Sequence, residues 1–157
     1  MNAPQAEARR WFRQAQADVE VVQTLRSAGH FAAACFHAQQ AAEKALKAVL
    51  YHQGARVVFG HSVRDLARRA EASDPAFAGV AGQAALLDQW YIPTRYPNGL
   101  PAPAVPSEAY TAAQAEAAEQ ASERVLALVS AFLSSRGAAA EPGMRDETGQ
   151  GGMRDET

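Results

Sequence analysis

GHFAAACFHAQQAAEKALKAVLYHQG, residues 29–54, is the stretch on which the fold turns. Its apolar positions are Phe31, Ala34, Cys35, Ala38, Ala42, Ala45, Leu46 and Val49. That is the three-and-four spacing that lays one stripe along a helix. Gly54 is a stop, since glycine takes the left-handed conformation that closes a helix. Glu43 and Lys47 stand four apart with the acid N-terminal to the base, so they meet on the helix surface. Most of the stripe is alanine, which lets helix axes approach closely but buries little area per residue.

The same periodicity continues on both sides. Upstream, Ala8, Phe12, Ala15, Val19, Val22 and Leu25 form a first helix that Gly29 ends. Downstream comes the loop ARVVFGH, after which Ser62 caps a short helix with Asp65 three residues on. Asp74-Pro75 opens a fourth helix through Phe77, Val80, Ala84, Leu87 and Trp90, and Pro93 stops it. Ser107 restarts the pattern, which runs to about Ser135 with Gly137 closing it. There Val125, Leu126, Leu128, Val129, Phe132 and Leu133 cover more than one face, as in a helix central to a bundle or shared with a second subunit. The expected fold is all-α, an up-and-down bundle of about five helices over residues 1–137. Residues 138–157, with GMRDET at 143–148 and again at 152–157, are expected to be a disordered Gly/charged tail.

The chain has 157 residues, 48% of them hydrophobic, and a net charge of -2. This fits one domain and argues against non-specific coating of nucleic acid. A single cysteine, Cys35, excludes an internal disulfide and fits a reducing compartment; it is read as a small core residue. No apolar run approaches the ~20 residues of a membrane span, so the expected location is cytoplasmic, with no membrane partner.

One segment resembles nothing else in the chain: DQWYIPTRYPNGLPAPAVPSE, residues 88–108. An arginine held among prolines and aromatics has few conformations to lose, and its guanidinium can fork onto a phosphate. Tyr91 and Tyr96 can stack a base or that guanidinium. The structural reading of the same residues is that Arg95 caps carbonyls while the rings fill the end of the bundle. Lys44 and Lys47 also have two readings: solvated faces, with Lys47 paired to Glu43, or the border of a groove shared with Arg95. His61 is read as a residue at the start of a helix whose ring bonds the backbone. The histidines share no ligand spacing with acids or the cysteine, so no metal site and no cofactor are expected.

Residues 29–54, then GHSVRDL, then DQWYIPTRYPNG together resemble the HEPN domain (higher eukaryotes and prokaryotes nucleotide-binding). Three separate segments agree in order across residues 8 to 135. The resemblance implies a helical bundle, a homodimer, and one of two roles. One group of the family consists of metal-independent ribonucleases with an Arg-x(4–6)-His motif, in which arginine stabilises phosphate charge and histidine moves the proton. The other lacks the motif and works beside a minimal nucleotidyltransferase. No histidine follows Arg95 here. Arg56 and His61 do read Arg-x4-His, but in a different loop. The resemblance therefore implies a nucleotide- or RNA-binding partner of a minimal nucleotidyltransferase, in a toxin–antitoxin-type or regulatory system. Arg95, Tyr96, Tyr91, Lys44, Lys47 and His61 would form its phosphate site, and no residue is assigned a catalytic role. A ribonuclease toxin with a divergent site and a purely structural dimeric module are the alternatives.

Overall fold

The computed structural model describes residues 1–139, and the predicted tail beyond lies outside the described residues. The described residues form six helices: α1 Ala3–Ser27, α2 Phe31–His52, α3 Val63–Glu71, α4 Ala81–Asp88, α5 Pro106–Ala109 and α6 Ala112–Ala139. Two 3-10 turns, Pro75–Val80 and Pro97–Gly99, complete the order. The helical bundle is as expected; several boundaries are not.

Each shift has a local cause. α1 begins before the apolar stripe because Asn2 and Gln5 form a reciprocal cap, Gln5 N–H donating to Asn2 Oδ1 and Asn2 N–H to Gln5 Oε1. The expected fourth helix is a 3-10 turn followed by α4, which ends at Asp88, ahead of Pro93. The long last helix starts at Ala112 rather than Ser107. Thr111 caps it, Gln114 N–H donating to Thr111 Oγ1 and Thr111 N–H to Gln114 Oε1. It then continues through Gly137 to Ala139.

α2 is the central element, packed against α1, α6, α3, α4 and α5. That explains its composition. Ala34, Ala38, Ala41, Ala42, Ala45 and Ala48 are all fully buried, so neighbours close in on every side. The apolar surplus of α6 is likewise spent inside the chain. Val125, Leu126, Val129 and Phe132 are buried, with Leu128 and Leu133 packed against the same core. Its wide apolar face answers α2 on one side and α4 on another, so it offers no ground for a second subunit.

One connection between elements was not expected. Asp88, the last residue of α4, accepts from Val63 N at 2.6 Å, Arg64 N at 3.1 Å and Ser62 Oγ at 2.8 Å. A carboxylate at its own helix's C-terminus is poorly placed, but here it neutralises the N-terminus of α3. It also ties the end of α4 to Ser62, where the loop before α3 closes. No described helix is long and apolar enough to cross a membrane.

Candidate functional site

The segment after α4 is shaped by its own backbone. Thr94 Oγ1 donates to Trp90 O at 2.6 Å, and the N–H groups of Arg95 and Tyr96 both return to Ile92 O. Gly99 folds back against Pro93, where a Cβ would stand 2.9 Å from the Pro93 Cα. Any other residue there would push the turn open.

Within this turn Arg95 is held in an aromatic cage. Its Cζ lies 4.4 Å from the Phe36 ring centroid, 4.6 Å from Tyr91 and 5.1 Å from Tyr96. Nε donates to Tyr91 O at 2.8 Å. Among the described residues the two terminal nitrogens have no hydrogen-bond partner, and the guanidinium has no carboxylate within ion-pair distance. One nitrogen of Arg95 thus ties down a carbonyl, as the structural reading expects, while its two terminal nitrogens bond no other described residue.

Arg95 lines a cleft of about 410 Å³ together with His30, Phe31, Ala32, Ala33, Thr94, Pro97, Val105, Pro106 and Ser107. His30 is the N-cap of α2 and Phe31 to Ala33 open its first turn, with no side chain capping them. Their leading N–H groups therefore add positive potential to the same cleft as Arg95.

A second cluster touches the cage from the side. Glu43, 5% exposed in its side chain, pairs at 2.9 Å with Lys47, whose side chain is 8% exposed. Its Oε1 also meets His61 Nδ1 at 3.0 Å, while Oε2 accepts from Gln39 at 3.3 Å and Gln40 at 3.1 Å. Since the carboxylate only accepts, Nδ1 carries the proton in this bond. The His61 ring, 60% exposed, stacks on Tyr91 at 5.1 Å and 19°. The result is one chain of touching side chains: Lys47, Glu43, His61, Tyr91, Arg95.

Three sequence expectations change here. His61 bonds a buried carboxylate rather than the backbone; it is its carbonyl that is engaged, by Gln39 Nε2 at 2.8 Å. Lys47 is not on a solvated face but in a buried pair, with its Nζ 5.7 Å from the Trp11 ring centroid. Lys44 faces away from Arg95. Its Nζ meets Asp18 Oδ2 at 2.6 Å, and it lines a separate cleft of about 640 Å³ with Glu7, Arg10, Trp11, Arg13, Gln14 and Ala17. Arg56 is exposed and makes no hydrogen bond or ion pair among the described residues, so nothing joins it to His61.

The structure thus joins Arg95, Tyr96, Tyr91, His61 and Lys47 through contacts and sets Lys44 apart. Phe36, Gln39 and Glu43 were missed. The available signal was a pair of polar residues, Gln39 and Glu43, at four-residue spacing within an alanine-rich helix. Cys35 is buried, and burial pushes its thiol pKa up to about 12, which leaves it inert as a nucleophile. Burial also lowers the pKa of His37, with Asp18 opposing and Lys44 adding to the effect. His52 is lowered by burial and by Arg136.

Residues 8–132 match the HEPN domain family. A protein from Thermus thermophilus with a crystal structure is 37% identical at a TM-score of 0.70, over 80% of this chain and 97% of that one. A crystallised archaeal HEPN homologue is 33% identical at a TM-score of 0.67, over 81% and 98% of the two chains. A HEPN domain protein from Thermotoga maritima is 28% identical at 0.63, over 80% and 98%. A comparison with curated proteins finds no match.

Proposed function

Because this chain belongs to the HEPN domain family, we propose that it is a non-catalytic member that binds the phosphate of a nucleotide or RNA at the Arg95 cleft. One observation carries the reading: a guanidinium fixed by three rings on a residue that lines a cleft, with no carboxylate among the described residues to answer it. A preorganised fork of this kind matches a phosphate bidentately and loses little entropy in doing so. Tyr96, half exposed beside it, supplies a face for a base. Tyr91 backs the guanidinium and His61 stacks on Tyr91. Lys47 acts only through Glu43 and His61, and Lys44 belongs to another surface.

The wider proposal follows the family resemblance. The protein works in the cytoplasm with a minimal nucleotidyltransferase, in a toxin–antitoxin-type or regulatory pair, and assembles as a homodimer. Light scattering at micromolar concentration reads the dimer directly, and a clean monomer mass removes it. For the site, ATP and a short RNA are titrated calorimetrically into wild type and Arg95→Ala, with melting curves alongside. Weaker binding at unchanged stability supports the anchor. Equal affinities end the ligand reading of this turn.

A second reading has its own observation. His61 and Arg95 share the Tyr91 ring, so a histidine and an arginine come together without the linear motif. A phosphodiester on Arg95 would then lie near a ring whose Nδ1 is already oriented by Glu43. RNA cleavage in the presence of a chelator, abolished by His61→Ala, would establish a ribonuclease and displace the non-catalytic reading.

A further inference from the structure

The loop between α2 and α3 presents a second surface beside the Arg95 cleft. It is fixed at three points: Val58 N donates to Tyr51 Oη at 3.3 Å, Arg69 Nη1 to Phe59 O at 3.2 Å, and Gln39 Nε2 to His61 O at 2.8 Å. Gly60, at φ +103°, supplies the left-handed bend between the last two. Val58 is buried, and its neighbours Val57 and Phe59 stand 60% and 79% exposed. A ring held out by a pinned backbone has little freedom left to lose on binding. Cations lie near it in the chain and on α3: Arg56 stands three residues before it, and Arg69 of α3 holds its carbonyl. Arg56, Arg64, Arg68 and Arg69 are exposed, and among the described residues only Arg69 of these has a carboxylate, Asp65 at 4.0 Å. Arg64 and Arg68 lie one turn apart on α3. Against these four arginines α3 exposes two carboxylates, Asp65 and Glu71, so the loop and α3 carry a net positive balance on a chain whose net charge is -2.

We propose that this surface carries a single-stranded polynucleotide onward from the Arg95 cleft, with Phe59 stacking a base and Arg56, Arg64 and Arg68 taking phosphates. The inference rests on Arg95 being a phosphate anchor; it adds that the ligand is a strand of several nucleotides rather than a mononucleotide. Continuity supports the path. His61 is two residues from Phe59 and stacks on Tyr91, the ring that also carries Arg95. Cations distributed along a helix turn beside one free aromatic suit a backbone of repeated charge and sequence-tolerant stacking.

The test compares ATP with a fluorescent oligoadenylate of about ten nucleotides, by anisotropy, across a salt series. Wild type, Phe59→Ala, the double variant Arg64→Ser/Arg68→Ser, and Arg95→Ala are measured. Phe59→Ala should weaken the oligonucleotide roughly five- to a hundredfold and leave ATP unchanged. The double arginine variant should lower the slope of log affinity against log salt by about 1.4. Arg95→Ala should weaken both ligands. If wild type holds ATP and the oligonucleotide equally and the loop and α3 variants are silent, the strand path is wrong while the anchor stands. If Arg95→Ala leaves ATP binding untouched, the anchor itself fails, and the path with it. Should Phe59→Ala spare the oligonucleotide but release a protein partner, the ring is a protein contact and the proposal is overturned. All the altered loop and α3 side chains are exposed, so melting temperatures should not move.

Discussion

Lys47 and Arg95 stand at the two ends of one chain of touching side chains and settle their charges in opposite ways. Lys47 is buried against Glu43, whose carboxylate is also met by His61, Gln39 and Gln40. Arg95 is gripped just as firmly, but by rings and a carbonyl, none of which neutralises it. A cation answered inside the chain holds the fold together. One that is positioned but left unanswered is available to something outside. The polar face of α2 and the turn after α4 should therefore respond differently to mutation, the first in stability and the second in binding.

The largest effect should follow from removing the answering charge. Glu43→Ala strands a buried ammonium at a cost of about 3–5 kcal/mol; His61 Nδ1 loses its partner, while Gln39 and Gln40 keep His61 O and Gln39 Oε1 as acceptors. Urea unfolding measures it. The double variant Glu43→Leu/Lys47→Met should recover most of the loss, because a well-packed apolar pair substitutes for a buried ion pair. If Glu43→Ala unfolds like wild type, the pair is not structural and the contrast with Arg95 collapses.

Next in size is Arg95→Ala, which should weaken a phosphate ligand roughly ten- to a hundredfold. Arg95→Lys should regain only part, keeping the charge and losing the fork. A fall in melting temperature as large as that of Glu43→Ala would place Arg95 with Lys47 among the structural cations.

Asp88→Ala sharpens the same distinction from the other side. This carboxylate touches no part of the cleft but caps α3, so its removal should cost about 1–2 kcal/mol of stability. Titration of ATP should give an unchanged affinity once the folded fraction is taken into account.

The smallest effect is on pH. His37 and His52 both have lowered pKa values in the fold, chiefly through burial. Between those values and the ordinary one near 6.5, the unfolded chain binds more protons than the folded one, so stability rises with pH in that window. Acidification through 6.5 should lower the melting temperature until both states are protonated. Replacing both histidines with asparagine should flatten that part of the profile.

How much of this was legible depended on where each residue's partners lie in the chain. The helical stripes were readable because their spacing is local, and the Arg95 turn was readable because Tyr91, Tyr96 and the prolines sit within a few residues of it. Phe36, the third wall of the cage, comes from another helix, and no local pattern announces it. Glu43 reads in the sequence as half of a surface pair because its other partner, His61, is eighteen residues away. Asp88 reaches α3 across a similar separation. The start of α6 was a different kind of miss: the capping residues Thr111 and Gln114 were in plain view, but Ser107 drew the boundary.

The alanines of α2 carry a consequence for how this protein is probed. The usual scan replaces each side chain with alanine and watches for loss. Along Ala34, Ala38, Ala41, Ala42, Ala45 and Ala48 that scan has nothing to remove, although every one of them is sealed from solvent. The seam would look inert in such data. Its sensitivity runs the other way, toward growth, because an added methyl has no space and must part the helices. Tolerance at the centre of this bundle is thus bounded by size from above, and substitutions that enlarge are the ones that report on it.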